Sequence, residues 1–110
     1  MPEMLKGSAA FEARGGGSVF DGCFADTAEI GYLVSSDVFI VNSGFYNNPL
    51  MGLKSSVAIK HERGTLKITG CHFRSSVITD TLYDGTGKEL DARSCIVSLK
   101  GIDAPEAFKE

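Results

Sequence analysis

Short apolar runs alternate with small, turn-prone residues along most of this chain, and helical periodicity is almost absent. The apolar runs are rich in the β-branched and aromatic residues that suit a half-buried, pleated surface. Strands are therefore predicted at residues 18–20, 30–34, 38–42, 57–60, 65–69, 77–79 and 95–99. Helical turns are expected only near the ends, over residues 4–11 and 104–109. The pattern predicts an all-β fold.

One six-residue phrase occurs three times and ends in phenylalanine each time. The copies are Val19-Phe20-Asp21-Gly22-Cys23-Phe24, Ile40-Val41-Asn42-Ser43-Gly44-Phe45 and Ile68-Thr69-Gly70-Cys71-His72-Phe73. Their first residues are 21 and 28 positions apart, and a further step of 28 reaches Ile96. Repetition at intervals of about 20 to 50 residues is typical of solenoids, in which equivalent side chains lie above one another.

The cysteines show a second spacing. Cys71 follows Cys23 by 48 residues and Cys95 follows Cys71 by 24, which predicts an internal cysteine ladder with Asn47 at the intermediate place. This spacing and that of the phenylalanines cannot both stay in phase, so coil lengths are expected to vary. Three cysteines leave one unpaired and form no CxxC motif, which disfavours a disulfide scaffold.

Many short strands with regular turns allow two architectures, a parallel β-helix and an antiparallel sandwich or jelly roll that binds a small ligand. The repeated phrase favours the β-helix, because a sandwich has no reason to reuse it. We therefore predict one domain over residues 1–110, with about four coils at 18–102. Residues 1–17 are expected to form a cap or lead-in, and 103–110 a tail.

The phrases at residues 38–48 and 65–75 resemble coils of the right-handed parallel β-helix superfamily, which includes pectate-lyase-like enzymes and phage tailspikes. The resemblance implies a right-handed helix, work on carbohydrates and, for viral members, a homotrimer. It also implies asparagine ladders in the turns, for which Asn42 and Asn47 are candidates.

The charge and the length of the chain limit the classes of partner that it is expected to bind. The formal net charge is −3 and no run of Lys or Arg forms a basic stripe, so nucleic acid is not expected. No stretch approaches the ~20 apolar residues of a membrane span, and a secretion signal is not evident, so a soluble chain is expected. Its location is undetermined, being virion or extracellular if it is tailspike-like. A chain of 110 residues buries only about two thirds of its unfolded surface, so open coil ends are expected to favour a homo-oligomer.

Aromatic rings stack on sugar faces, while Arg and His donate hydrogen bonds to acidic sugar groups. The predicted ligand-binding residues are Asp26, Tyr46, His61, Arg63, His72 and Arg74. The other carboxylates near the repeats are expected to be solvated turn residues; they are Asp21, Glu29, Asp37, Asp80, Asp84 and Asp91.

No motif assigns catalytic residues, a metal site or a cofactor, since the histidine spacing fits no zinc pattern and the cysteines lie in apolar strands. The expected function is a structural or glycan-binding β-helix module of a tailspike, tail fibre or secreted protein. The alternative is a polysaccharide lyase or glycosidase whose site lies between subunits, with Asp26, His61 and Arg63 supplied by neighbours.

Overall fold

In a computed structural model the described residues, 9–48, 50, 55–75, 81–85 and 89–99, form twelve β-strands and no α-helix. The strands are β1 Ala9–Ala13, β2 Ser18–Asp21, β3 Phe24–Asp26, β4 Ile30–Ser35, β5 Val38–Val41, β6 Gly44–Asn47, β7 Val57–Arg63, β8 Leu66–Thr69, β9 His72–Ser75, β10 Thr81–Gly85, β11 Leu90–Arg93 and β12 Ile96–Leu99.

The strands form three parallel sheets of four strands each. The first sheet contains β1, β4, β7 and β10, the second β2, β5, β8 and β11, and the third β3, β6, β9 and β12. The chain visits the sheets in rotation, and from β1 to β10 it completes three full turns of a β-solenoid. The prediction of a short parallel β-helix is confirmed, and the predicted number of about four coils is close to the observed number of turns. Every strand pairing among the described residues is parallel, which excludes the antiparallel sandwich for this part of the chain.

The corner between the second and third sheets is the same in every coil, and we call it the tight corner. Two residues turn the chain there, and the first has a positive φ in each coil: Gly22 (68°), Asn42 (49°), Gly70 (67°) and Ser94 (54°). Glycine and asparagine adopt this left-handed conformation most readily. Their N–H groups continue the ladder between coils, as in Gly22 to the Val41 carbonyl at 3.2 Å.

The corner between the third and first sheets, which we call the open corner, absorbs the differences in coil length. Residues 27–29 join β3 to β4, whereas residues 48–56 join β6 to β7. The corner between the first and second sheets is shorter than the open corner, with two residues between β4 and β5 and between β7 and β8. At that corner a Cβ on Gly64, whose φ is 85°, would lie 2.3 Å from the Ser36 carbonyl carbon. The expected variation in coil length is therefore present, and most of it lies at one corner.

The interior is a column of apolar side chains from all three sheets. The largest fully buried ones include Tyr32, Phe45, Phe73, Ile40, Ile59, Leu66 and Ile68. Tyr32 stacks on Phe11 with ring centroids 5.3 Å apart, and its hydroxyl donates to the Gly44 carbonyl at 2.7 Å. Burying such side chains stabilises the fold by roughly 1.5–3 kcal/mol each.

The stacking predicted for the phenylalanines is correct in two copies and wrong in the first. Phe45 and Phe73 are paired in register inside the solenoid, but Phe24 pairs with Gly44 and is 55% exposed. Ala25 takes the interior place instead. Ile96 was expected to be equivalent to Ile68, but Ile68 pairs with Ala92, and Ile96 pairs with His72 and faces outward. Side chains alternate between the faces of a strand, so an offset of one residue reverses the face.

The three cysteines lie at equivalent corners as predicted, but the two steps from Cys23 to Cys71 are 20 and 28 residues rather than 24 each, and the intermediate residue is not Asn47. The pairings of Phe24, Gly44, His72 and Ile96 place the residues just before them at equivalent positions; these are Cys23, Ser43, Cys71 and Cys95. Ser43 therefore occupies the position between Cys23 and Cys71 in the ladder, because equivalent residues of β3 and β6 are 20 positions apart. Asn47 is buried one strand later and pairs with Ser75.

Six of the predicted strands correspond to β2, β4, β5, β7, β8 and β12, while the strand at 77–79 lies outside the described residues. The strands β3, β6 and β9 were not predicted, because each follows a turn of only two residues within the repeated phrase; β10 and β11 were not predicted either. The helical turn expected at 4–11 is wrong where it overlaps β1, and its earlier part lies outside the described residues, as does the turn at 104–109. β1 lies within the segment 1–17 and pairs with β4.

Candidate functional site

The outer surface of the third sheet carries two columns of side chains that run along the solenoid, and we call it the third-sheet face. Residues in register form one column of Phe24, Gly44, His72 and Ile96, and a second of Asp26, Tyr46, Arg74 and Ser98. The residues between the columns, such as Phe45 and Phe73, point inward. Because strands in a sheet are about 4.8 Å apart, neighbouring members of a column present a regular repeat.

Tyr46 and Arg74 form the central contact of this face. The guanidinium carbon of Arg74 lies 5.1 Å from the centre of the Tyr46 ring. A cation over an aromatic ring at an exposed place contributes about 0.5–1 kcal/mol and holds both groups in a defined orientation. Arg74 remains exposed and Tyr46 half-buried, so donors and ring edge stay accessible.

Gly44 creates a recess in the first column. A Cβ at this position would lie 2.8 Å from Cδ1 of Phe24 and 3.3 Å from the His72 carbonyl oxygen, so a larger residue would displace the Phe24 ring. The recess opens into a shallow groove of about 510 Å³, which extends from Phe24 past Asn42 to His72 and Arg74. A groove of this volume can hold a ring-sized ligand beside Arg74.

His72 lines the groove. Its Nε2 is buried, and no described residue forms a hydrogen bond with it. Buried polar side-chain atoms in folded proteins usually have a partner, so this nitrogen is an exception among the described residues.

Asp26 supplies the only carboxylate among the described residues of the two columns. It is exposed at the end of β3 and accepts a hydrogen bond from Thr27 Oγ1 at 2.7 Å. Asp26 lies in register with Tyr46, so the carboxylate and the guanidinium of Arg74 are on either side of the ring along the column.

His61 belongs to the interior of the first sheet. Its side chain is 1% exposed, Nε2 lies 2.7 Å from the Gly64 carbonyl oxygen, and Nδ1 lies 2.8 Å from the Tyr83 hydroxyl. Because a carbonyl only accepts, Nε2 carries the hydrogen and Nδ1 accepts from Tyr83. Burial, with a contribution from Asp84, raises the pKa of Tyr83 and keeps that hydroxyl protonated. Both ring nitrogens of His61 are therefore occupied.

The structure thus brings four of the six predicted residues together, namely Asp26, Tyr46, His72 and Arg74. His61 and Arg63 lie on β7 in the first sheet, with Arg63 exposed at its end. Sequence reasoning did not include Phe24 and Gly44 in the site. Their signal was present in the phrase itself, since Gly22 and Cys23 align with Gly70 and Cys71 and fix which residues face outward.

The chemistry available on this face is stacking and hydrogen bonding. A glycosidase needs two carboxyl groups on opposite sides of the bond, and the described residues of the third-sheet face supply one. Among the described residues no group of three His, Cys, Asp or Glu side chains is placed to hold a metal ion.

The second sheet has a different outer surface. Val19 and Phe39 pair in register on its first two coils and are 66% and 41% exposed. The same column continues as Lys67 and Asp91 on the next two coils. We call Val19 and Phe39 the second-sheet apolar patch.

Comparison with protein-family models, with curated proteins and with solved structures gives no match to this chain. In the described part of the chain, no helix has the length and apolar character required to cross a membrane.

Proposed function

We propose that this chain is a glycan-binding β-helix module and that the third-sheet face is its binding surface. The observation that carries the proposal is the Tyr46–Arg74 pair beside the groove lined by Phe24 and His72. Aromatic rings bind the apolar faces of sugars, and a guanidinium donates two parallel hydrogen bonds to a carboxylate or sulfate. An acidic polysaccharide lying along the solenoid axis matches this arrangement.

The resemblance to pectate-lyase-like and tailspike coils supports the same proposal from the sequence. In both groups, the long side of a coil stack contacts the polysaccharide. A module of this size fits a structural or attachment role in a virion or secreted protein, where it presents one face to a surface glycan.

The test is binding of polygalacturonate oligomers measured by calorimetry, with the methyl-esterified polymer as the uncharged comparison. We expect Tyr46→Ala and Arg74→Ala each to weaken binding by about three- to tenfold, since a stacking contact contributes roughly 0.5–1.5 kcal/mol. Tyr46→Phe retains the ring and should bind normally. Lys67→Ala on the second sheet is the matched control for loss of a charge.

Equal affinity of Tyr46→Ala and the unaltered protein would place the ligand elsewhere. Equal binding of the charged and esterified polymers would remove the role of Arg74 while leaving a neutral glycan as the ligand. Failure of both polymers to bind would reject acidic and esterified galacturonans as ligands of this face.

The enzymatic alternative requires a neighbouring subunit to supply the second carboxylate opposite Asp26. It predicts release of unsaturated products or new reducing ends from the polymer, with loss of turnover in Asp26→Asn. Binding without either product supports the non-catalytic module.

We further propose that the protein assembles as a homo-oligomer, with the trimer favoured by the resemblance, and that the second-sheet apolar patch contributes to the contact. Two large apolar side chains exposed side by side are typical of such surfaces. Light scattering should give an oligomeric mass that falls in Phe39→Lys. A monomeric mass for the unaltered protein at micromolar concentration would reject this assembly.

A further inference from the structure

The second residue of the tight corner is Cys23, Ser43, Cys71 or Cys95 in the four coils, and we call this series the tight-corner ladder. Its four side chains have the same orientation. Each lies at hydrogen-bonding distance from the backbone carbonyl two residues earlier: Cys23 Sγ to Asp21 at 3.9 Å, Ser43 Oγ to Val41 at 2.8 Å, Cys71 Sγ to Thr69 at 3.6 Å and Cys95 Sγ to Arg93 at 3.4 Å. Residues with the same orientation on successive coils place their side-chain atoms in a column along the axis.

Cys71 and Cys95 are neighbours in that column. The Ile96 N–H donates to the Cys71 carbonyl at 2.9 Å, which brings the two corners together, so that the Cys95 side chain acts on the pKa of the Cys71 thiol. Cys23 is separated from Cys71 by the whole coil that carries Ser43. Of the three cysteines, only Cys71 and Cys95 lie on adjacent coils.

The spacing of the coils is compatible with a covalent bond. Neighbouring strands lie about 4.7–4.9 Å apart, and disulfides join residues whose Cα atoms are about 4.4–6.8 Å apart. Cys71 is 2% exposed, whereas Cys95 is half-buried and reachable from solvent. The hydrogen bond with Cys95, together with burial, raises the pKa of the Cys71 thiol, so Cys95 is the thiol that reacts first.

We propose that Cys71 and Cys95 form an oxidation site, in which a disulfide joins the third and fourth coils when a small disulfide oxidant such as oxidised glutathione is present. The Cys95 thiolate attacks one sulfur of the oxidant and releases one glutathione thiolate, which takes up a proton. The Cys71 thiol then loses its proton to solvent, and its sulfur attacks Sγ of Cys95 and releases the second glutathione. Two protein thiols are oxidised, and one glutathione disulfide is reduced to two thiols.

The bond would link the last described coil to the rest of the stack. In a stack of coils each coil contacts only its neighbours, so two neighbouring coils can separate in a local opening. A disulfide at the tight corner opposes that separation.

The experiment uses the full chain with Cys23→Ser, which Ser43 at the equivalent position shows to be compatible with the corner. After equilibration with oxidised glutathione, we expect both remaining thiols to be lost, an intact mass lower by two hydrogens, and a linked peptide containing Cys71 and Cys95. The melting temperature should rise on oxidation and fall again with dithiothreitol. Cys23→Ser combined with Cys95→Ser should respond to neither treatment.

Two free thiols, or two glutathione adducts, at equilibrium in folded protein would overturn the proposal. The unaltered protein provides an independent measurement through the same linked peptide, which does not depend on any substitution. A linked peptide joining Cys23 to Cys71 or Cys95 there would also overturn it, because Ser43 separates those coils.

Discussion

The corners of the first and third coils carry nearly the same phrase, yet the phenylalanines that end the two phrases lie on opposite faces. In the third coil Phe73 is fully buried, and in the first coil Phe24 is exposed beside the Gly44 recess. The difference arises because Gly22-Cys23 aligns with Gly70-Cys71, which places Phe24 one residue and Phe73 two residues after the cysteine position. The left-handed residue and the small residue after it define the repeat.

The largest expected effect is the difference in stability between alanine variants of the two phenylalanines. Phe73→Ala should reduce the free energy of unfolding by about 3–5 kcal/mol, since it leaves a cavity in the core. Phe24→Ala should change the stability by about 0.5 kcal/mol or less, as expected for a surface position. Chemical denaturation followed by circular dichroism measures both. Equal losses would contradict the offset between the coils.

A second effect depends on pH and on the burial of the third-coil corner. The hydrogen bond with Cys95, and then burial, raises the pKa of Cys71, and burial raises the pKa of Tyr32. A raised pKa means that the folded state retains protons that the unfolded state loses. Stability is therefore complete below the unfolded pKa values, about 8.5 for Cys and 10 for Tyr, and falls as pH rises above them.

Above each of these values the free energy of unfolding should fall by about 1.4 kcal/mol per pH unit for each group. Denaturation under reducing conditions between pH 7 and 11 measures the slope. Tyr32→Phe should flatten the curve above pH about 10, and Cys71→Ser should flatten it between about 8.5 and 10. A profile that is unchanged in both variants would show that neither group contributes.

A smaller effect on stability compares two glycines of the tight corner, one in the first coil and one in the third. Gly22→Ala and Gly70→Ala both place a side chain at positive φ, which costs about 1–2 kcal/mol. Gly70→Ala should cost more, because its Cβ would lie 2.8 Å from Asn42 Oδ1, whereas no atom lies within 4 Å at Gly22. Thermal unfolding of the two variants gives the comparison. A larger loss for Gly22→Ala would mean that Asn42 does not constrain the corner.

The smallest effect tests the polar member of the ladder. Ser43 Oγ accepts the N–H of Cys23 at 3.1 Å and thus joins the first two coils. Ser43→Ala should lose about 1 kcal/mol of stability, the usual value for one hydrogen bond. Ser98→Ala, on the outer face of β12, is the matched control and should be near neutral. Indistinguishable stabilities would show that this bond contributes nothing.

The fold followed from the sequence because solenoid coils repeat the same local chemistry. The spacing of Cys71 and Cys95 already contained the correct step, while the phenylalanine spacing was misleading in the first copy. Short strands after a two-residue turn, such as β6, were missed because a turn and two strands fit within one apolar phrase. Periodicity alone does not reveal where a chain changes sheets.

The candidate site was only partly predictable. Tyr46, His72 and Arg74 share a sheet because they follow equivalent corners, and their residue types suggested sugar binding. The burial of His61 could not be inferred, since it depends on Tyr83 one coil away and on the Gly64 carbonyl. An imidazole whose two nitrogens both have partners can lie in the core.

The sequence by itself determined that the chain forms short parallel coils with varying lengths, because small and left-handed residues recur where the backbone must turn. Only the tertiary structure decided which side of each strand faces the interior. That choice depends on the register between coils, where a shift of one residue exchanges a buried side chain such as Phe73 for an exposed one such as Phe24.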